Sequence, residues 1–206
     1  MVCKKIYLSP SNQVGNMYAV GNVSEKEVME EIANHLREIL INEYGCDTLI
    51  APSSLGVRER PQDALDNNAE VYLALHSNAG GGRTASGAIA FYHPNDEDSR
   101  RLAANIVAEL NKISQYPSNR IDPVRSGMEV FNNQGYYEIR VPNELGLIPV
   151  LVEIDFHDNP LTARYLIDNT YEIAQALARA IDSSFNLRNK RRYIMSFTRR
   201  KGKNRP

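Results

Sequence analysis

The chain has 206 residues, 42% of them hydrophobic and 24% charged, with a formal net charge of −1. These values are ordinary for a soluble globular protein, and the length suits one domain with a full two-layer or three-layer core. No stretch approaches the roughly 18 apolar residues of a membrane-spanning helix, so the composition excludes a membrane span.

Strand-like and helix-like segments alternate along the sequence. Strands are predicted at residues 6–8, 46–51, 71–76, 88–92 and 149–154, and helices at residues 25–44, 99–113 and 160–183. A loop with a short helix is expected at residues 52–68, and the poorly patterned residues 115–147 are expected to form a loop-rich rim. The alternation predicts an α/β fold, a three-layer domain with a mostly parallel, about six-stranded sheet and helices on both faces.

The first helix begins with a carboxylate in a buried position. Ser24 and Glu27 have the spacing of a capping box, in which each side chain bonds to the backbone amide of the other residue. Glu25 precedes Val28 and Ile32 by three and seven residues, so it lies on the apolar face at the mouth of the helix. Because an unpaired buried carboxylate is costly, Glu25 needs a partner, either a cation or the helix dipole.

Two further polar side chains close apolar strands. His76 ends the strand at residues 71–76, and Glu153 follows the apolar residues 150–152. Ligands of open α/β sheets lie outside the carboxyl ends of the strands, where these two residues converge and Glu25 can join them. One histidine with two carboxylates is typical of metal-dependent hydrolysis. Desolvation should also raise the pKa of Glu153 and suit it to general-base catalysis.

Both strand-end residues also have a structural interpretation. His76 can be a hydrogen-bonded core histidine, and Glu153 can be a carboxylate held by backbone amides, by Arg60 or by Arg140. The presence of Glu25 at a matching place favours the metal site over these alternatives.

At these residues the chain resembles the zinc-dependent N-acetylmuramoyl-L-alanine amidases of the amidase-3 type, which cut the glycan–peptide bond of bacterial cell wall. The resemblance covers roughly residues 4–184 and rests on four segments in the family's order. They are the opening strand with its polar loop, residues 25–28, residues 75–79 and residues 149–159. The resemblance implies a Zn²⁺ cofactor bound by Glu25 and His76, and Glu153 as the catalytic carboxylate.

The sequence departs from the family at the first zinc ligand. The family has a histidine in a Gly-His-Gly turn after the first strand, and this position is occupied here by Asn12. The third ligand is therefore open between Asn12, whose amide is a poor zinc ligand, and His157, which lies four residues beyond Glu153. A site that has lost its metal and become a binding site is the remaining alternative. Asn78 is expected to line the substrate groove.

Two functions follow from this pattern. The leading hypothesis is a cell-wall amidase that hydrolyses the bond between N-acetylmuramic acid and L-alanine in peptidoglycan. The alternative is a non-catalytic peptidoglycan-binding or regulatory protein that retains the fold with a degraded metal site. A nucleic-acid partner is not expected, because the body of the chain is acidic.

The last residues differ in charge from the rest of the chain. Residues 188–205 contain nine Lys or Arg and no acidic residue, which leaves 15 basic against 25 acidic residues elsewhere, a net charge of −10. We therefore divide the chain into an amidase-like catalytic domain, residues 1–187, and a basic, disordered tail, residues 188–206. The tail is expected either to bind anionic wall polymers or to be a solvated appendage.

Two features bear on the compartment. The opening residues lack the pattern of a signal peptide, so we expect cytoplasmic synthesis and action on the wall after release or lysis. Cys3 and Cys46 are interpreted as reduced thiols, although a disulfide is possible if their strands are neighbours.

Overall fold

The computed structural model describes residues 3–116 and 118–187. The strands are β1 (Ile6–Pro10), β2 (Thr48–Ile50), β3 (Val71–Asn78), β4 (Ile89–Tyr92), β5 (Val124–Ser126) and β6 (Ile148–Phe156). The helices are α1 (Glu25–Ile39), α2 (Arg60–Asp66), α3 (Glu97–Ile113), α4 (Tyr137–Glu144), α5 (Pro160–Asp168) and α6 (Thr170–Phe185). A π-helical turn, Leu40–Tyr44, extends α1.

The six strands form one sheet in the order β2-β1-β3-β6-β4-β5. All neighbouring pairs are parallel except β4 and β6, which are antiparallel. The carboxyl ends of β1, β3 and β6 therefore meet at one edge of the sheet, where open α/β sheets bind ligands. The mostly parallel α/β fold predicted from the sequence is confirmed.

Side chains of the central strands alternate between two hydrophobic cores. On one face, Ile6, Leu73 and Val152 belong to a large core that also contains apolar residues of α1, α3, α5 and α6. On the other face, Tyr7 and Tyr72 belong to a smaller core with residues of α2 and α4. Because strand residues point alternately to opposite faces, apolar residues at successive positions bury both faces of the sheet.

The structure corrects the sequence prediction in two segments. Residues 115–147 were expected to be a loop-rich rim, but they contain the short strand β5 and the helix α4, with Pro142 inside it. A proline within a helix removes a backbone donor and argues against a helix in sequence reading. The helical sequence predicted at 160–183 forms two helices that meet at Asn169, whose side chain donates to the Tyr165 carbonyl.

A disulfide joins Cys3 to Cys46, with a Cα–Cα distance of 5.2 Å. The interpretation of these residues as reduced thiols is therefore wrong in this structure. The bond lies at the amino ends of the neighbouring parallel strands β1 and β2, which bring the two residues together. It ties the start of the chain to the segment that follows α1.

The described part of the chain contains no helix long and apolar enough to cross a membrane. The predicted basic tail, residues 188–206, lies outside the described residues. The fold therefore concerns the predicted catalytic domain, and tail binding to anionic wall polymers stays a prediction.

Candidate active site

The strand-end residues predicted from the sequence meet at the carboxyl edge of the sheet. His76 on β3 and Glu153 on β6 are directly paired in the register of the two parallel strands. Glu25 is the first residue of α1, and its carboxylate reaches the His76 ring. This arrangement is consistent with the sequence prediction that these three residues converge.

Local structure at the start of α1 fixes the Glu25 carboxylate. The capping box between Ser24 and Glu27 is formed as the sequence predicts. The Glu25 Oε2 atom accepts a hydrogen bond from Asn16 Nδ2 at 2.8 Å, and Oε1 accepts one from the Ser77 backbone N–H at 3.2 Å. Glu25 is 1% exposed. Hydrogen bonds from the loop before α1 and from β3 therefore hold this carboxylate in one position.

The His76 imidazole lies between two carboxylates. Its Nδ1 atom is 3.1 Å from Glu25 Oε1, and its Nε2 atom is 3.0 Å from Glu138 Oε2. The two carboxylates therefore contact opposite nitrogens of the ring. Glu138 is a residue of α4 and was not predicted as part of the site.

Glu138 is held by buried hydroxyl groups. Its Oε1 atom accepts hydrogen bonds from Ser9 Oγ at 2.7 Å and from the Tyr72 hydroxyl at 2.9 Å. Behind Ser9, the Arg60 guanidinium donates to Ser9 Oγ at 3.0 Å and to the Pro10 carbonyl at 2.6 Å. A buried carboxylate with several donors is stabilised in its charged form.

The charges of this network are mutually stabilising. Burial would lower the pKa of His76, but its hydrogen bonds to Glu138 and Glu25 outweigh burial and raise that pKa well above its usual value. Burial would likewise raise the pKa of Glu25 and of Glu138, but hydrogen bonding and attraction to His76 lower both. The ring and its two carboxylates therefore favour their charged forms together.

Glu153 has a different environment from the other two carboxylates. Its Oε2 atom is buried and has no hydrogen-bond partner among the described residues. Burial raises the pKa of Glu153 to about 7, with an opposing effect from His76 and further increases from Glu25 and Glu138. A carboxyl group with a pKa near neutrality suits proton transfer.

The arginines considered as structural partners of Glu153 have other contacts. Arg60 bonds to Ser9 and Pro10, and Arg140 forms an ion pair with Glu144 at 3.2 Å. Neither arginine is positioned by these contacts to neutralise Glu153.

The two candidates for a third zinc ligand differ in position. His157 is buried and stacks on Tyr18, and its Nδ1 atom lies 2.9 Å from both the Oγ and the carbonyl oxygen of Ser77. Among the described residues, no group of three or more His, Cys, Asp or Glu side chains has the arrangement of a metal site. The structure therefore does not assemble His157 with Glu25 and His76, while Asn12 is exposed in the loop after β1.

Asn78, predicted to line the substrate groove, is the last residue of β3 and lies at the expected edge. Its Oδ1 atom accepts from the Ala79 backbone N–H at 2.8 Å, which turns the chain into the loop that follows. Its role in substrate binding stays a prediction.

A buried carboxyl group near the carboxyl end of β6 connects the loop between β3 and β4 to β6. Asp155 is 2% exposed, and its Oδ1 atom accepts from the backbone N–H groups of Gly87 and Phe156. Burial raises the pKa of Asp155 from 3.8 to about 6, although the two backbone hydrogen bonds oppose the rise. The folded protein therefore binds a proton here more tightly than the unfolded chain does.

This shift predicts a pH-dependent stability difference between the wild type and Asp155→Asn. The Asn carbonyl keeps both backbone hydrogen bonds but cannot titrate. Relative to the variant, the wild type should be favoured below pH 3.8 and should lose about 3 kcal/mol of unfolding free energy as pH rises through about 6. Urea unfolding of both proteins at several pH values between 4 and 7 measures the difference, and parallel pH profiles would contradict the shift.

Comparison with known proteins assigns the sequence to a family. The family model described as N-acetylmuramoyl-L-alanine amidase matches residues 10–183. The sporulation-specific N-acetylmuramoyl-L-alanine amidase of Bacillus subtilis is 26% identical over 191 residues, which cover 89% of this chain and 69% of the relative. The germination-specific amidase of the same organism is 27% identical over 187 residues, covering 82% and 73%.

Solved amidase structures share the fold. An N-acetylmuramoyl-L-alanine amidase from Clostridium difficile 630 superposes with a TM-score of 0.74 at 18% identity, covering 89% of this chain and 97% of the other. The CwlD amidase of Clostridioides difficile, solved with the GerS lipoprotein, gives a TM-score of 0.67 at 24% identity, covering 88% and 98%. At these identities the likeness shows the α/β architecture alone.

Proposed function

The chain belongs to the N-acetylmuramoyl-L-alanine amidase family, and from this premise we propose that Glu25, His76 and Glu153 form its hydrolytic site. The reaction is hydrolysis of the amide bond between N-acetylmuramic acid and L-alanine in peptidoglycan. The observation that carries the assignment is the meeting of these three side chains at the carboxyl edge of the sheet.

The donor groups at this edge fit a zinc ion in type. A carboxylate oxygen of Glu25 and a ring nitrogen of His76 are ordinary zinc ligands. The buried Oε2 atom of Glu153 has no hydrogen-bond partner among the described residues, and the charges of His76, Glu25 and Glu138 act on the pKa of Glu153. These donor groups do not form a complete ligand set, since no group of three or more His, Cys, Asp or Glu side chains among the described residues has the arrangement of a metal site. We propose that Glu25 and His76 are zinc ligands. We also propose that the set lacks a third ligand because Asn12 stands where the family has its first ligand histidine.

Glu153 is the proposed proton carrier of the reaction. Water attacks the carbonyl carbon of the muramic acid lactyl group, and Glu153 takes the proton that this water loses. When the carbon–nitrogen bond breaks, Glu153 gives the proton to the nitrogen of L-alanine, which leaves as an amine. The products are a free carboxylate on the glycan and a free amino terminus on the peptide. Zinc, when bound, supplies Lewis-acid polarisation of the carbonyl.

The environment of Glu153 suits both halves of this transfer. With a pKa near 7, the group is partly ionised at neutral pH and binds and releases a proton readily. In the protein without a metal ion, hydrogen bonding and attraction to His76 lower the pKa of Glu25 and of Glu138, so both carboxylates favour the charged form. Two carboxylates that stay ionised beside one that titrates is a common basis for assigning the acid–base residue.

The alternative of a non-catalytic wall-binding protein is less well supported. The family match covers most of the chain, and the proposed general base and two ligand groups are all present. A test is incubation of the zinc-supplemented protein with purified peptidoglycan. Appearance of free L-alanine amino groups supports the amidase, whereas wall binding with no new amino groups supports the alternative.

A further inference from the structure

Glu138 contacts the proposed zinc ligand His76 from the side opposite Glu25. The Glu25 carboxylate meets Nδ1 and the Glu138 carboxylate meets Nε2, at 3.1 Å and 3.0 Å. A metal ion bonds to one nitrogen of an imidazole, and the other nitrogen then carries a proton that needs an acceptor. The two carboxylates therefore have different tasks with respect to one metal ion.

The hydrogen bonds of Glu138 decide which task it has. Its Oε1 atom already accepts from Ser9 and Tyr72, and its Oε2 atom accepts from the His76 ring. The residue is 5% exposed. Both oxygens are thus fixed by donors, and Arg60 behind Ser9 adds positive charge to the same network. This is the environment of a fixed acceptor rather than of a ligand open to an ion.

Glu25 is placed differently. Its Oε1 atom contacts the Nδ1 atom of His76 and accepts from the Ser77 backbone N–H, and its Oε2 atom accepts from the side-chain amide of Asn16. It is the first residue of α1 and lies at the carboxyl edge of the sheet, where open α/β sheets bind ligands. The two proposed ligands, Glu25 and His76, therefore meet at the Nδ1 atom of the ring.

We propose that Glu138 is a positioning residue that accepts the Nε2–H of His76 and leaves Nδ1, beside Glu25, as the nitrogen that binds zinc. The inference rests on the proposed function, because it concerns the same metal. Outer carboxylates of this kind fix the tautomer and orientation of a ligand histidine and increase its basicity. Their removal commonly weakens metal binding about 10–100-fold.

Nitrogen NMR of the wild-type protein tests the assignment without a variant. The zinc-loaded chain, labelled with ¹⁵N-histidine, is expected to show metal-bound Nδ1 and protonated Nε2 for His76. The His76 signals are identified by their loss in His76→Gln. Zinc bound at Nε2 would overturn the proposal, because Glu138 would then lie on the metal side of the ring.

Zinc affinity, measured by competition with a chromophoric chelator, tests the contribution of Glu138. Glu138→Gln keeps an oxygen acceptor of the same shape without the charge, and about tenfold weaker binding is expected; Glu138→Ala removes the acceptor, and about 100-fold weaker binding is expected. The matched control is Glu144→Gln, on the same helix, where the residue is exposed and contacts Arg140. The control should bind zinc as the wild type does.

The outcomes separate this inference from the function on which it rests. Unchanged zinc affinity in a folded Glu138→Gln protein would overturn the positioning role while leaving the amidase assignment intact. Complete loss of zinc in that variant would also overturn it, because it would make Glu138 a direct ligand. A wild-type protein that neither binds zinc nor releases L-alanine amino groups would instead contradict the proposed function. Circular dichroism confirms folding of each variant, and the NMR test stands if Glu138→Ala does not fold.

Discussion

Glu153→Gln is expected to lower the rate of peptidoglycan hydrolysis by about 10²–10⁴-fold, the usual effect of removing a general base. The amide has nearly the same shape as the carboxylate but cannot take the proton from water. Since the buried Oε2 atom of wild-type Glu153 has no hydrogen-bond partner among the described residues, the substitution breaks no hydrogen bond of that atom and should leave the fold intact. The measurement is the rate of release of L-alanine amino groups, with thermal unfolding to check stability.

Asp158→Asn is a matched control for this variant. Asp158 also has a buried oxygen without a partner in the described chain, and its other oxygen accepts from the Gly80 backbone N–H. It follows the same strand but does not contribute to the raised pKa of Glu153. The control is expected to retain activity within a few-fold. A loss of less than tenfold in Glu153→Gln would show that the base lies elsewhere.

His76→Ala is expected to abolish stoichiometric zinc binding. It should also lower the hydrolysis rate by at least as much as Glu153→Gln does. The substitution removes a proposed ligand and also leaves Glu25 and Glu138 without the imidazole between them. Two buried carboxylates that lose their shared positive partner are destabilising, so the melting temperature should fall as well. Zinc content is measured by elemental analysis of protein purified without chelator.

His157→Gln is the comparison that separates the two histidines. In the structure His157 lies against Ser77 and Tyr18 rather than against the proposed ligands. Zinc should therefore remain bound in this variant. Zinc retained in His76→Ala would contradict the ligand assignment, and zinc lost in a folded His157→Gln protein would identify His157 as the third ligand.

The part of the site that local sequence encodes was predictable. A capping box places Glu25 at a helix mouth, and apolar runs place His76 and Glu153 at strand ends. Each of these positions follows from a pattern a few residues long, and the parallel sheet then brings the strand ends to one edge. The same patterns predicted the α/β architecture, since buried parallel strands are continuous apolar runs.

Glu138 was not predictable in this way. Its partners Ser9, Tyr72 and His76 are 129, 66 and 62 residues distant along the chain. It also lies on a short helix whose interior proline obscures the helical pattern. Its only local signal is a carboxylate next to the buried Ile139, and the contact appears only when the sheet and α4 are assembled.

The disulfide shows the same dependence on tertiary structure. Nothing in the residues around Cys3 and Cys46 distinguishes a bonded pair from two thiols. The pairing of β1 with β2 brings them together, and that pairing connects segments separated by the whole of α1. Strand order in a parallel sheet is set by packing across the fold rather than by local pattern.

The central claim is that this chain is an amidase, and identification of its products tests that claim most directly. A purified disaccharide-peptide from peptidoglycan is incubated with the zinc-supplemented wild type and with Glu153→Gln, and the products are analysed by mass spectrometry. The wild type is predicted to yield an intact disaccharide and a free peptide that begins with L-alanine, and the variant to yield neither. Cleavage within the glycan or within the peptide, or equal cleavage by both proteins, would contradict the account.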